Sequence, residues 1–328
     1  MAMARRSGRL ALAFVWLVVT TAGVTAQTEP YPTRLIRIVI PFAPGGPNDV
    51  IGRPLADKMS ETLGQSIIIE NRPGAGGRTA TLMVARSDAD GYTVLMTTNS
   101  HVANQALYAK LAYDALKDFA PVTLLAENYG LAMVARANLP VKDIRDFVAQ
   151  ARGEPGKFSY AHAGVGNATH IAGVLLEKLA GIEMLAVPYK GSGSYISDVI
   201  GGQVDATFVS TALALPNIQS GLLKPLASTG PNRVPNMPTV PTMMEIGYRD
   251  FDWLSYYGLY VPAGTARDRI DKLHAAAIKA LDTPELRRIL DDAGVRVMGT
   301  TPDAFAAYLA KDLIHQRAVA KRIGMQLQ

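Results

Sequence analysis

Glycine-rich turns carry the residues of this sequence that could bind a ligand. Pro44-Gly45-Gly46-Pro47 follows the β-branched run Ile38-Val39-Ile40 and precedes a helical pattern of apolar residues that starts at Ile51. A helix that begins at the carboxyl end of a parallel strand leaves free N–H groups and the positive end of its dipole in the crevice above the sheet, where α/β proteins bind ligands. The turn therefore predicts a binding site for an anion.

A second glycine turn has the same form. Gly164-Val165-Gly166 precedes a helical pattern in which Ile171 and Leu175 share one face, so its backbone also leads into a helix N-terminus. Two such turns could hold one anion from opposite sides. Other turns at the carboxyl ends of predicted strands fall at 73–78, 97–101 and 188–194.

Asp49 has two interpretations. As an N-cap, its carboxylate would accept hydrogen bonds from the first N–H groups of the helix. Facing the crevice, it could instead accept a hydrogen bond from a ligand hydroxyl or ammonium group. Pro54 bears on the choice, because a proline inside a helix removes a backbone hydrogen bond. If Pro54 lies in the first turn, the helix starts later and Asp49 is released from capping.

Catalytic motifs are incomplete. The segments 74–79 and 164–169 match only the first part of the dinucleotide fingerprint G-x-G-x-x-G, and the sequence has neither a P-loop nor a nucleophile elbow. A hydrolase that uses Ser194 or Ser210 with His170 stays an alternative, although serines at glycine turns are more often helix caps. The sequence predicts a binding protein and not an enzyme, with no cofactor.

A metal site is a further alternative. His162 and His170 flank a glycine turn, and with His101 and Asp49 they could supply nitrogen and oxygen ligands. Histidines that cap helices or line a cleft are commoner, and we expect no bound metal. The sequence contains no cysteine, which excludes disulfides, thiolate metal sites and cysteine nucleophiles.

Several other side chains near the turns could contact a ligand but have a simpler role. Arg78 and Lys190 could pair with a carboxylate, whereas solvated positions are the expected ones. The same holds for a group of aromatic residues that could stack on a ligand but more often pack at a lobe junction. The group consists of Trp253, Tyr256, Tyr257 and Tyr260.

The first 26 residues have the pattern of an export signal. Three arginines precede an apolar run from Leu10 to Val19, and Val24-Thr25-Ala26 is a small-residue cleavage pattern. Cleavage before Gln27 and a periplasmic location are expected; the alternative is an uncleaved anchor. Because cleavage also removes three arginines and no acidic residue, the formal charge of +5 falls by three. A role in nucleic-acid binding is not expected.

Alternation of short apolar runs with helical patterns predicts an α/β fold with largely parallel sheets. A weak repeat, Tyr129-Gly130-Leu131 and Tyr257-Gly258-Leu259, is typical of paired strands that cross between two lobes. We expect one lobe at 27–126 plus 254–328 and the other at 127–253. Strands are predicted at 35–40, 66–70, 92–98, 119–126, 130–136, 184–187, 204–210, 224–228 and 256–261. Helices are predicted at 50–63, 78–86, 143–152, 168–180, 193–200, 240–246, 266–281, 284–292 and 302–322.

The ordered motifs of the chain resemble the Bug family of periplasmic solute receptors, which are related to the tripartite tricarboxylate transporters. The resemblance is collinear over essentially all of the sequence after the export signal. It rests on the segments 31–32, 41–49, 70–77, 90–92, 113–114 and 118–119, on Gly164-Val165-Gly166 with His170, and on 188–193, 201–205, 240–242 with Glu245, and 262–265.

The resemblance implies a two-lobed periplasmic-binding-protein fold of the Venus-flytrap, type II-like kind, with a hinge between two mostly parallel sheets. It also implies a small carboxylate ligand and delivery to a membrane permease of the tripartite tricarboxylate type. A receptor for a two-component sensor is the alternative partner. Oligomeric state is open, and a monomer is favoured.

The family's site residues correspond here to the two glycine turns and to the end of the strand at 204–210, and the predicted turn at 97–101 adds Asn99. The expected ligand-binding residues are Phe42, Pro44, Gly45, Gly46, Asp49, Asn99, Gly164, Gly166, Asn167, Thr169 and Ser210. The family often has an acidic or amide residue where this chain has Ser210, and a small hydroxyl residue in the second turn where it has His162 and Asn167. A plain or aromatic carboxylate is therefore expected in preference to an amino acid.

Overall fold

The computed structural model describes Met1 and residues 30–251 and 253–325. The predicted export signal and its cleavage point before Gln27 lie outside these residues. The chain divides into two units, Met1–Tyr31 and Pro32–Gln328, and all of the helices and strands described below belong to the second. No helix in the described ranges combines the length and the apolar character needed to cross a membrane.

The part of the chain that the structure describes contains eleven strands and ten α-helices. The strands are β1 (Ile36–Ile40), β2 (Ile67–Asn71), β3 (Thr93–Thr98), β4 (Phe119–Asn128), β5 (Ala132–Arg136), β6 (Ser159–His162), β7 (Leu185–Pro188), β8 (Ala206–Val209), β9 (Leu223–Ser228), β10 (Tyr256–Pro262) and β11 (Val295–Val297). The helices are α1 (Pro47–Leu63), α2 (Arg78–Ala85), α3 (Ser100–Leu107), α4 (Ile144–Gly153), α5 (Ala168–Ala180), α6 (Ile196–Ile200), α7 (Thr211–Gln219), α8 (Arg267–Leu281), α9 (Pro284–Asp292) and α10 (Pro302–Ile323).

Two separate sheets organise these elements. The first has the strand order β11-β4-β10-β3-β1-β2 and the second has the order β7-β6-β8-β5-β9. Residues on both faces of the second sheet are buried: Met133 packs in one apolar cluster, and its neighbours Ala132 and Val134 pack in another. Burial on both faces explains why this strand is a continuous apolar run and does not alternate with polar residues.

Each sheet mixes parallel and antiparallel pairs. In the first sheet β1 is parallel to β2 and β3, whereas β10 is antiparallel to β3 and β4. In the second, β6 is parallel to β7 and β8, whereas β5 is antiparallel to β8 and β9. The expectation of mostly parallel sheets is corrected in this respect, because β5 and β10, the first strands after each crossing between the sheets, run against their neighbours.

Two crossings and one helix connect the sheets. The chain passes from β4 to β5, and it returns to β10 through the segment 229–255. Asn99 holds the end of this return segment through two hydrogen bonds. Its side-chain amide donates to Leu254 O at 3.0 Å, and its Oδ1 accepts from Ser255 Oγ at 3.1 Å. Helix α10 adds a third connection because it packs Leu309 in the core beside the first sheet and Val319 in the core beside the second.

The predicted strands are all present, with ends within two residues of the expected ones. Strands β6 and β11 and helices α3 and α7 were not predicted. The predicted helix at 240–246 is wrong. Thr242 and Glu245 cap each other, with Glu245 N–H donating to Thr242 Oγ1 at 3.0 Å, but Met243 N–H pairs with Ser228 O of β9 and Gly247 follows at once. The segment therefore forms turns beside the second sheet.

Candidate binding site

A small cavity lies where loops from both sheets meet. Its volume is about 40 Å³. Loops after β1 and β3 form one side, and loops after β6 and β8 form the other. The lining residues are Phe42, Ala43, Gly46, Pro47, Asn48, Asp49, Thr98, Leu131, Ala163, Asn167, Ala168, Thr169, Ser192, Ser210, Ser255 and Tyr257.

The first wall is the N-terminus of α1. Gly46 is the N-cap and makes no side-chain capping bond, and Pro47 occupies the first helical position, where its missing N–H costs nothing. The Asn48 N–H has no intramolecular acceptor among the residues described. Asn48 is 2% exposed, and its Oδ1 also lacks a partner within the described residues. This wall thus carries free hydrogen-bonding groups.

Asp49 does not cap the helix, so that interpretation is wrong. The helix starts at Pro47, Pro54 lies well inside it, and Asp49 is the third helical residue. Its carboxylate accepts from Arg53 Nη2 at 2.6 Å and from Asn71 Nδ2 at 3.0 Å. Because Asn71 Nδ2 also donates to Phe42 O at 3.1 Å, the buried carboxylate fixes the glycine turn against β2.

The second wall is the N-terminus of α5. Asn167 is the N-cap, and its Oδ1 accepts from Thr169 N at 3.1 Å and from Thr169 Oγ1 at 3.1 Å. Thr169 Oγ1 in turn accepts from Ala163 N at 2.9 Å. Within the described chain, the Ala168 N–H has no acceptor. Both polar side chains are therefore used to shape the turn, and the free donor at this wall is a backbone amide.

The third wall is the N-terminus of α7, a helix that the sequence did not reveal. Ser210 is its N-cap and makes no side-chain capping bond. Its buried Oγ has no hydrogen-bond partner among the residues that the structure describes, and neither does the Thr211 N–H. The N-terminal ends of three helices thus meet at one cavity, which is lined by first-turn residues of α1 and α5 and by the N-cap serine of α7. The three helix dipoles all favour negative charge there.

The charge at the cavity is low. Among the lining residues that the structure describes, Asp49 is the one charged side chain, and Arg53 pairs with it. Apolar groups such as Phe42, Leu131 and Tyr257 complete the lining. An anion in this cavity would therefore meet amide and hydroxyl donors in an otherwise apolar enclosure.

The three histidines considered as metal ligands are buried, and they lie in two separate groups. His162 and His170 lie with their rings 4.4 Å apart, and burial lowers the pKa of each to about 4. His101 is in a separate aromatic group with Phe119 and Tyr260, its Nε2 is 2.9 Å from Ala115 O, and burial lowers its pKa to about 4. Across residues 30–251 and 253–325, no three His, Asp or Glu side chains are grouped as a metal site would need.

The groups named for a hydrolase are engaged elsewhere or unpaired. Ser194 Oγ donates to Gly191 O at 2.6 Å. His170 Nδ1 accepts from Gly166 N at 3.3 Å, and no serine hydroxyl among the described residues is hydrogen-bonded to the ring. Ser210 Oγ, as described above, has no partner.

The structure brings together six of the eleven predicted site residues. Phe42, Gly46, Asp49, Asn167, Thr169 and Ser210 line the cavity. The other five do not line it. Pro44 and Gly45 are exposed, Asn99 fastens the return segment, Gly164 lines a neighbouring cavity, and Gly166 packs against Asn104.

Sequence reasoning missed several lining residues, above all Asn48 and Ala168. A signal for Asn48 existed: Gly46-Pro47 is a typical start of a helix, with the proline in its first position. A helix predicted to begin at Pro47 would have brought Asn48 and its N–H to the predicted binding turn.

Two pairs of turns are in contact between the lobes. Ala43 N–H donates to Lys190 O at 3.2 Å. A Cβ placed on Gly193 would lie 2.4 Å from Pro44 O, and one on Gly76 would lie 2.5 Å from Val165 O. Such approaches are open only to glycine. The lobes are therefore closed around the cavity.

Two α/β lobes joined by two chain crossings and closed over a small cavity are the architecture of solute-binding proteins of the Venus-flytrap class. Comparison with known proteins identifies the group within that class. The profile described as "Tripartite tricarboxylate transporter family receptor" matches residues 51–325. The chain belongs to this receptor family, which confirms the resemblance seen in the sequence.

Solved structures agree with this assignment. The periplasmic binding protein BugD has a TM-score of 0.88 and 33% identity, with 91% of this chain and 100% of BugD covered. MatC from Rhodopseudomonas palustris, solved with bound malate, has a TM-score of 0.85 and 34% identity over 88% and 99% of the two chains. A further R. palustris protein, solved with adipate, has a TM-score of 0.87 and 30% identity over 91% and 100%. The two-lobed α/β fold is confirmed.

Proposed function

We propose that this protein is a periplasmic receptor that captures a small carboxylate between its lobes and delivers it to a membrane permease of the tripartite tricarboxylate type. Two relatives of the same fold were solved with malate and adipate, both dicarboxylates. The export signal at 1–26, with cleavage before Gln27, belongs to the same proposal. So do the lobe boundaries, 27–126 plus 254–328 and 127–253, and a monomeric state.

One observation carries the proposal: the N-termini of α1, α5 and α7 meet at a single cavity. Within the described residues, the backbone amides of Asn48 and Ala168 have no acceptor and the Ser210 hydroxyl has no partner, and these three residues line the cavity from both lobes. A hydrogen bond to a charged acceptor is worth about 1.5–3 kcal/mol, so a few such donors can hold a carboxylate with no arginine in contact. Closing the lobes brings the donors together, and opening them separates the donors again.

The cavity favours a ligand without an ammonium group. Asp49 is the carboxylate at its wall, and both of its oxygens are already bonded, to Arg53 and to Asn71. An ammonium group buried there would have to share a carboxylate that Arg53 already neutralises, and an incompletely paired buried charge costs several kcal/mol. The proposed ligand-contacting residues are Phe42, Gly46, Asn48, Asn167, Thr169 and Ser210. The proposed role is binding without turnover.

Calorimetry of the purified protein tests the proposal. Short carboxylates and their uncharged amides form matched pairs, and we expect the acids to bind and the amides not to bind. Acidic amino acids should bind more weakly than the corresponding plain dicarboxylates. A panel in which the amides bind as well as the acids would overturn the proposal, because free N–H donors select for negative charge.

The substitution Gly46→Leu tests whether the ligand binds in this cavity. Gly46 has a φ of −82°, which a larger residue can adopt, and a Cβ there would meet only Ala43 O at 3.6 Å. The rest of the leucine side chain would compete with ligand for a cavity of about 40 Å³. We expect binding to be lost with little change in Tm. Gly153→Leu, at an open position at the end of α4, is the control and should bind normally; wild-type affinity of Gly46→Leu would move the site elsewhere.

A further inference from the structure

Basic residues form a stripe on the exposed side of α10. Because an α-helix has about 3.6 residues per turn, residues about three, four and seven positions apart lie on one side of it. We call the exposed stripe in the second half of α10 the basic face. It consists of Lys311, Ile314, Arg317, Ala318 and Lys321.

The two acidic residues of α10 do not neutralise the basic face. The carboxylate of Asp312 accepts from Tyr256 Oη at 2.8 Å and from Gln316 Nε2 at 3.0 Å, so it points towards β10 and away from the stripe. Asp303 lies at the start of the helix and is paired with Arg267 Nη1 at 3.0 Å. Neither acid therefore offsets the charge of the basic face.

The three cations of the basic face are unpaired. In the part of the chain that the structure describes, no carboxylate lies within 4.0 Å of Lys311, Arg317 or Lys321. The surface of α8 differs, since Arg267 binds Asp271 there at 2.8 Å. Ile314 is 70% exposed, more than any other large apolar side chain described from residue 30 onward. Positive charge and an exposed apolar group therefore coincide on one stripe.

The positive surface continues from the basic face towards the contact between the lobes. Arg317 lines a groove of about 410 Å³ together with Tyr108. The Arg78 guanidinium carbon lies 3.7 Å from the centre of the Tyr108 ring. Arg78 begins α2 directly after the glycine turn that contacts the other lobe. The flank of the molecule that carries the basic face therefore reaches the edge of the cleft.

Asp114 is an acidic residue that lines the same groove. Its Oδ1 accepts from the N–H groups of Leu116 at 2.9 Å and Lys117 at 3.0 Å, and its Oδ2 lies 3.7 Å from Lys117 Nζ. The charge of Asp114 is therefore balanced within its own loop, and Arg317 stays without an ion pair.

The composition of the basic face favours a lipid surface over a protein partner. Protein interfaces are enriched in aromatic residues and depleted in lysine and alanine, whereas the basic face has two lysines, an alanine and no aromatic residue. Lysine and arginine side chains beside an apolar residue are instead typical of helices that lie on anionic membranes. Cations at such a surface act through their charge and need no fixed geometry.

We infer that the protein binds reversibly to an anionic phospholipid surface through the basic face of α10. The inference goes beyond the proposed function: it needs the proposed export of the protein but not the proposed ligand. Each lysine or arginine close to an anionic membrane strengthens binding about fivefold, so three cations give a weak and reversible attachment. Such an attachment holds the receptor beside the membrane that contains its proposed permease.

Sedimentation of the purified protein with lipid vesicles tests the inference. Vesicles of equal parts phosphatidylglycerol and phosphatidylcholine are compared with vesicles of phosphatidylcholine alone. We expect the wild-type protein to bind the anionic vesicles at low ionic strength and not the neutral ones. Binding should disappear at about 1 M salt, where the screening length is about 3 Å. The triple variant K311Q/R317Q/K321Q should bind the anionic vesicles at least about tenfold more weakly.

K142Q/K279Q/R288Q is the matched control, because it removes the same charge from exposed positions before α4, on α8 and on α9. It should bind the anionic vesicles within about twofold of the wild-type protein. Equal losses in the two triple variants would show attraction by net charge alone and would overturn the inference.

Two further outcomes would also overturn it. Equal binding of wild-type protein to both kinds of vesicle would remove the role of charge, and absence of binding at low ionic strength would leave the basic face to an acidic protein partner. Either result leaves the proposed carboxylate binding intact, since calorimetry measures that separately. Absence of carboxylate binding would instead overturn the proposed ligand and leave the vesicle result standing.

Discussion

Closure of the lobes should be blocked by a single methyl group at Gly193. Its φ is not in the left-handed region, so alanine can adopt the same backbone. In the closed protein, however, the new Cβ would lie 2.4 Å from Pro44 O and 3.1 Å from the carbonyl carbon of Gly45. Both neighbours are backbone atoms of the opposite lobe, and neither can rotate away. Gly193→Ala therefore acts on closure and not on the fold of either lobe.

The expected magnitude follows from the cost of overpacking. Inserting a methyl group into a well-packed contact costs about 1–3 kcal/mol, which corresponds to roughly five- to 150-fold weaker binding if the cost falls on the closed state. The ligand-free protein can open at this contact, so its free energy of unfolding should change by less than about 0.5 kcal/mol. The affinity should fall while the stability stays constant.

Calorimetry with a short dicarboxylate and urea denaturation of the ligand-free protein measure the two quantities. Gly153→Ala is the control, because Gly153 also lacks positive φ and a Cβ there meets nothing within 4 Å. Unchanged affinity in Gly193→Ala would show that the contact between these turns is not part of the ligand-bound state. Equal loss of stability and affinity would show that it belongs to the fold of the free protein.

Two further predictions follow from buried side chains. Burial lowers the pKa values of His101, His162 and His170 to about 4, so only the unfolded chain gains these protons between about pH 6.5 and 4, and each histidine lowers the free energy of unfolding by about 1.4 kcal/mol per pH unit there. Urea titrations at pH 7, 6 and 5 should show this slope, and His101→Phe should reduce it by one proton; an unchanged slope would refute the assignment. Trp253 is 1% exposed and its Nε1 donates to Ala168 O at 2.9 Å, so ligand at the α5 N-terminus should alter its emission, and Trp253→Phe should abolish that change while binding persists in calorimetry.

The binding turns could be predicted from the sequence because two local signals coincide in them. A buried β-branched strand such as β1 is followed by glycines and then by a helical pattern, and that order places a helix N-terminus at the strand's carboxyl end. Phe42, Gly46 and Asp49 line the cavity in the turn predicted in this way, whereas Ser210 was expected from the family resemblance. Pro44 and Gly45 belong to the same turn but face outward, since the direction of each residue in a turn depends on its backbone angles and not on its type.

Elements fixed by tertiary pairing could not be predicted in the same way. Strand β6, Ser-Tyr-Ala-His, has no β-branched residue, and it is a strand because β7 and β8 pair with it on both sides. Helix α7 contains Pro216 and so looks like a loop. Missing that helix concealed the third helix N-terminus at the cavity. The capping interpretation of Asp49 was wrong because its partner Asn71 lies on another strand, which no local pattern reveals.

Because the free donors at the cavity include backbone amides, the proposed ligand should be released when the lobes open. An arginine buried there would keep a high desolvation cost in the closed state and would bind its anion in the open state as well. Neutral amides on separate lobes behave differently: each is hydrated when the lobes open, and each alone gains little over water. Under the proposed function, affinity is then concentrated in the closed state, where Asn48 from one lobe and Ala168 and Ser210 from the other line one cavity. Opening of the lobes is therefore expected to be sufficient to release the proposed ligand.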